Sequence, residues 1–101
     1  MTRALLTALT IGLLAFALPA HAAGDAAAGK AKAGSCAMCH GPTGAGTSMA
    51  PKLAGEDQAK FSQAMQDYKS GKRDNAMMKS QAASLSNDDI ANLAAYYASQ
   101  K

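Results

Sequence analysis

A chain of 101 residues with ten Lys and Arg against seven Asp and Glu, formal net charge +3, has room for one ordinary domain. Its cations are scattered with no basic stripe, which gives nucleic-acid binding no support. The two cysteines, Cys36 and Cys39, sit too close together to close a large stabilising loop.

The first stretch reads as a leader. Arg3 gives it a positive start, Leu5 to Leu18 is apolar apart from Thr7 and Thr10, and Pro19 breaks the run. Ala20-His21-Ala22 then has the small-x-small form of a signal-peptidase site. As a membrane span, the apolar run would cover only ~20 Å at helical rise, short of a ~30 Å hydrocarbon core. The expectation is a signal peptide over 1–22, export to the periplasm, and no stable membrane insertion after cleavage. The mature domain then covers 23–101, with nine cations against seven acids and a net charge of +2. So short a chain buries proportionally little surface and calls for a staple; a bulky apolar cofactor would supply the missing core.

Beyond Ala22 the chain has one isoleucine, Ile90, and no valine, so the material for a sheet is missing and the fold class is all-α. The first helix is predicted from about Asp25 to Cys39, opening on an acid that suits its positive end. Gly29 and Gly34 each cost it ~1 kcal/mol of propensity. Either they mark the close approach of another element or the helix is simply weak.

Cys36-Ala37-Met38-Cys39-His40 closes that helix as C-x-x-C-H. Two thiols three positions apart can reach the two vinyl groups of one haem and form thioethers. The next residue, His40, then lies under the iron as proximal ligand. A thioredoxin-like pair would require a βαβ setting, and a closed zinc site four ligands. The sequence supplies neither, since His21 leaves with the leader. His40 also requires an acceptor for its second ring nitrogen; the Pro51 carbonyl is a candidate, unless that proline merely ends the loop.

From Gly41 to Ser48 the glycines and Pro42 dictate a turn, and the absence of a G-K-[ST] ending excludes a phosphate loop. A second helix is predicted from about Glu56 to Ser70, with Phe61, Ala64, Met65 and Tyr68 as its apolar stripe and Gly71 as its stop. Gly71 to Ser84 reads as loop with a helical turn. The last helix opens on Ser86-x-x-Asp89 and repeats Ile90, Leu93, Ala94 and Tyr97 at helical spacing.

With no second histidine left, methionine is the natural sixth ligand, and His/Met ligation raises the reduction potential. Met38 is locked inside the motif, Met49 stands nine residues from His40 in the turn, and Met65 falls on the core stripe. That leaves Met77 and Met78, between which spacing does not choose.

Together with the haem motif, the segments Gly24-Asp25-Ala-Ala-Ala-Gly-Lys30, Pro51-Lys-Leu-Ala-Gly55, Tyr68-Lys-Ser-Gly-Lys-Arg73, Leu85-Ser-Asn-Asp-Asp-Ile90 and Ala94-Ala-Tyr-Tyr-Ala98 resemble class I c-type cytochromes. The likeness is to the small bacterial cytochrome c-553 type and to one domain of the dihaem cytochrome c4. It implies a fold wrapped around one covalent haem c, with the N- and C-terminal helices crossing and Gly29 set against Leu93 and Tyr96. It assigns the axial methionine to the position seven residues before Leu85, which is Met78, with Met77 as runner-up. It matches Pro51 to the proline whose carbonyl holds the proximal histidine. Arg73 and Lys52 are candidates to approach the propionates, although solvated surface charge explains either one.

These residues lead to a non-enzymatic electron carrier, cofactor-binding through Cys36, Cys39, His40 and Met78, with His40 and Met78 on the iron. Its partners would be redox proteins that donate and accept electrons, such as respiratory complexes or terminal oxidases and reductases. Nothing in the sequence requires more than a monomer. The rivals are a ligand-binding or sensory haem module with an open or labile sixth site, and a thiol oxidoreductase built on Cys36 and Cys39.

Overall fold

The computed structural model describes residues 24–101 together with Gly12, so the leader read over 1–22 lies, Gly12 apart, outside the described residues. The described residues form five helices and no strand: α1 (Ala26–Lys32), α2 (Gly34–His40), α3 (Gln58–Ser70), α4 (Ala76–Ala83) and α5 (Asn87–Ser99).

The fold is organised by the crossing of α1 and α5, and two glycines make it possible. A Cβ on Gly24 would stand 1.9 Å from the Ala91 carbonyl oxygen, and one on Gly29 would stand 2.0 Å from that of Asn92 and 2.8 Å from Tyr96 Cβ. The backbones therefore touch without side chains between them. The Asp25 N–H donates to Asn92 Oδ1 at 2.8 Å, and Lys32 Nζ lies 3.6 Å from Asp89 Oδ2, so polar ties flank the crossing. Tyr96 stands over Gly29 as expected, but its companion there is Asn92 and not Leu93. Asn92 and Tyr96 stand four apart on one face of α5, while Leu93 is turned into the core and fully buried.

The first helix is two helices. At Ala33 the chain takes a tight turn, φ −75° and ψ −1°, and its N–H bonds back to Lys30 O at 3.2 Å. Gly34 follows, with nothing within 4 Å of where a Cβ would be. Close approach thus explains Gly29, and weak propensity explains Gly34.

Two further helices complete the shell. Asp57 caps α3 by accepting from Lys60 N at 3.0 Å, and Phe61 and Met65 on its stripe are buried. The stretch expected as loop with a helical turn contains the eight-residue α4, which Asn75 caps by accepting from Met78 N at 3.0 Å. Of its residues Ala82 is buried, so no apolar stripe announced it. The link after it leads into α5 through the expected capping box: Asp89 N donates to Ser86 Oγ and Ser86 N to Asp89 Oδ2, both at 3.0 Å. Phe61, Tyr96 and Tyr97 form an aromatic chain with centroids 5.7 and 5.0 Å apart inside the core.

Candidate haem site

Helix α2 carries the motif. Cys36 and Cys39 lie on the same side of it, one turn apart, and both are unbonded and half-buried. His40 is the last helical residue and is buried, at 7% exposure. Gly41 then turns the chain away at φ 91° and ψ 161°, a conformation that L side chains rarely adopt.

The following loop folds back onto the end of α2. Gly46 N donates to His40 O at 2.8 Å and the Thr47 hydroxyl to Cys39 O, so two carbonyls left without helical partners are satisfied. The loop is also fixed from behind. Leu53 N and Ala54 N both donate to Gly44 O, at 2.8 and 2.9 Å, and Gly55 N donates to Tyr97 O at 2.8 Å. Gly44 has φ 75°, and a Cβ there would meet the Tyr97 ring at 2.6 Å, so the loop lies flat on α5.

This scaffold delivers the Pro51 carbonyl to His40. Nδ1 and that oxygen are 2.7 Å apart, and a carbonyl can only accept, so Nδ1 carries the proton. Nε2 of the neutral ring then holds a lone pair suited to a metal. The proline does more than end the loop.

The five methionines beyond Ala22 are separated by their surroundings. Met65 is core, as expected, while Met38, Met49 and Met77 are exposed at 78%, 71% and 64%. Met78 is half-buried and packs on the same core cluster as Cys36. Helix α2 therefore brings Cys36, Cys39 and His40 together, and Met78 comes from a separate element on the border of the same core. Arg73 is exposed with its guanidinium over the Tyr68 ring, 4.9 Å from the centroid, and Lys52 is exposed as well.

Sequence reasoning missed the surroundings of Cys36. Tyr97, assigned simply to the core, faces that thiol; burial first, and then the neighbouring Cys36, push its phenol above the ordinary tyrosine range. Thr47 was missed too, because one threonine in a glycine-rich turn carries no periodic signal.

Unbonded paired thiols, an imidazole with a fixed tautomer and a half-buried thioether make a donor set that fits haem c. Other readings fit less well. Among the described residues no group of three or more His, Cys, Asp or Glu could hold a metal ion, which leaves a zinc site without partners. None of the described helices is long and apolar enough to cross a membrane.

Residues 21–96 match the family model described as cytochrome c oxidase, cbb3-type, subunit III. The chain is 48% identical over 94 residues to cytochrome c4 of Pseudomonas aeruginosa, a match covering 92% of this chain and 45% of that protein. It is 42% identical over 83 residues to cytochrome c-554(548) of Halomonas halodenitrificans, covering 78% of this chain and 100% of that one. The solved cytochrome c4 of Acidithiobacillus ferrooxidans superposes with a TM-score of 0.71 at 29% identity, over 73% of this chain and 49% of that one. The chain thus spans about half the length of the cytochrome c4 relatives it matches. With an all-helical fold, a C-x-x-C-H segment on a helix end and these matches, the chain belongs to the cytochrome c family, and its cofactor is covalently attached haem c.

Proposed function

We propose that this protein carries single electrons between redox protein partners in the periplasm, with Cys36 and Cys39 bonded to haem c and His40 and Met78 on its iron. The observation that supports this most is the 2.7 Å contact between His40 Nδ1 and the Pro51 carbonyl. It holds the ring beside the cysteine pair in the tautomer that leaves Nε2 to bind iron.

When bound, haem c supplies a one-electron ferric/ferrous couple. The chain supplies the rest. Cys36 and Cys39 would hold the group through two thioethers, each the addition of an S–H across a vinyl group and so in need of no oxidant. Pro51 keeps the His40 ring from rotating, and the Gly46 and Thr47 bonds hold the carbonyls behind it. Met78 would offer a soft thioether, which favours reduced iron and so would raise the potential. His40, buried at the end of α2, and Met78, half-buried on α4, would hold the iron from two separate helices. With His40 and Met78 holding the iron, no position would be left on it for a substrate, which supports a carrier over an enzyme. The leader read over 1–22 supports the periplasmic location. Redox partners, respiratory complexes or terminal oxidases and reductases among them, would dock without strong steering, since the net charge after the leader is only +2.

The test is a pair of absorption spectra, visible and near-infrared, of protein matured in a haem-attaching periplasm. Low-spin bands with a sulfur-to-iron charge-transfer band in the oxidised form are expected. Met78→Ala is expected to abolish that band and lower the reduction potential. A variant that keeps both overturns the Met78 assignment. High-spin bands in the unaltered protein would instead point to a ligand-binding module, and absence of haem absorbance to thiol chemistry.

A further inference from the structure

Helix α4 has little of its own to hold it in place. Ala82 is its buried residue, Met78 and Gln81 are half-buried, and Ala76, Met77, Lys79, Ser80 and Ala83 are exposed. A helix so lightly packed is positioned by its ends, and both ends are tied to the last turns of α3. At the entrance, Arg73 N donates to Asp67 O at 3.1 Å and the Arg73 guanidinium lies over Tyr68. At the exit, Gln66 Nε2 donates to Asn87 Oδ1 at 2.9 Å and Lys69 Nζ to Leu85 O at 2.6 Å.

The lysine contact stands apart from an ordinary surface interaction. It joins residues 16 apart in sequence, is partly buried, and is short for an N–H···O bond, as expected of a charge-assisted one. Lysine near a helix C-terminus can serve the last carbonyls of its own helix or extend into water. Here it crosses to another segment. The Leu85 N–H is meanwhile bonded to Ala82 O at 3.1 Å. The two sides of Leu85 are therefore pinned, its N–H to the end of α4 and its carbonyl to α3. Met78 lies seven residues, two helical turns, before Leu85.

We infer that Lys69 is a positioning residue for Met78: by clamping the Leu85 carbonyl it fixes the exit of α4 and so holds the Met78 sulfur at the iron. The inference rests on the reading of Met78 as the axial ligand. Without the clamp, the exit of α4 is held by Gln66 and by the packing of Ala82 and Leu85, and the sulfur leaves the metal more often.

The test uses the haem-loaded protein as Lys69→Met, Lys69→Gln and Lys69→Arg, with Met78→Ala as control. The readouts are the sulfur-to-iron band, the reduction potential, the urea midpoint, and the rate at which imidazole binds the ferric form, since imidazole enters as the sulfur departs. Lys69→Met is expected to weaken the band, lower the potential and speed imidazole uptake about tenfold, the scale of one hydrogen bond to a charged group. Lys69→Arg is expected to restore the unaltered values, and Lys69→Gln, a donor without charge, to fall between. The glutamine variant carries the same comparison if the methionine variant fails to accumulate. A Lys69→Met protein with a lower urea midpoint but unchanged band, potential and imidazole rate overturns the inference and leaves Lys69 a structural brace. Retention of the band by Met78→Ala overturns the ligand assignment itself, and the inference with it.

Discussion

The Thr47 hydroxyl donates to Cys39 O and accepts from Met49 N at 3.1 Å, joining the end of α2 to the far side of the loop. Valine keeps the shape of that side chain and removes both bonds. Thr47→Val is expected to lower stability by about 2 kcal/mol in urea unfolding, a typical net value for two lost hydrogen bonds. Residues of this kind are hard to see in a sequence. His40 and Pro51 were legible because a spaced motif and a ring nitrogen without a partner ask for each other. Met78 was only partly so. Spacing left Met77 and Met78 open, the family likeness favoured Met78, and the structure adds that Met77 is exposed while Met78 reaches the core.

At the scale of helices, the α1–α5 crossing is the most exacting contact. A methyl group on Gly29 would meet backbone, which no rotamer change relieves. Gly29→Ala is expected to destabilise by about 3 kcal/mol, the upper part of the usual range for overpacking, read from the urea midpoint. The start of α5 adds a pH dependence. Backbone and side-chain bonds from Ser86, together with Lys32, hold the Asp89 carboxyl below its ordinary value of 3.8. A depressed carboxyl stabilises the fold fully above its unfolded pKa and loses that contribution as pH falls through the folded one. The stability difference between the unaltered protein and Asp89→Asn is therefore expected to be constant above about pH 5 and to shrink as acid is added. Equal differences at neutral pH and at pH near 3 would contradict it. Helices with a stripe or a cap pattern, α3 and α5, were legible from the residues alone. The break at Ala33 and the full length of α4, read as a single helical turn, were not, since one depends on a backbone turn and the other is a helix of good formers without an apolar face.

For the whole molecule, the lack of valine and the near lack of isoleucine after Ala22 sufficed to fix the all-helical class, and the motif sufficed to name the cofactor. What composition did not reveal is how strongly the chain's beginning depends on its end. The Asp25–Asn92 bond joins residues 67 apart, and Tyr97 lies over Gly44 and faces Cys36. A ribosome working from the N-terminus completes α1, α2 and the haem-attachment cysteines while the residues that will cover them do not yet exist. Closure therefore comes last, as a long-range step of the finished chain. Until α5 arrives, Cys36 has no tyrosine against it, and the interval before that docking is when the thiol is most open to chemistry.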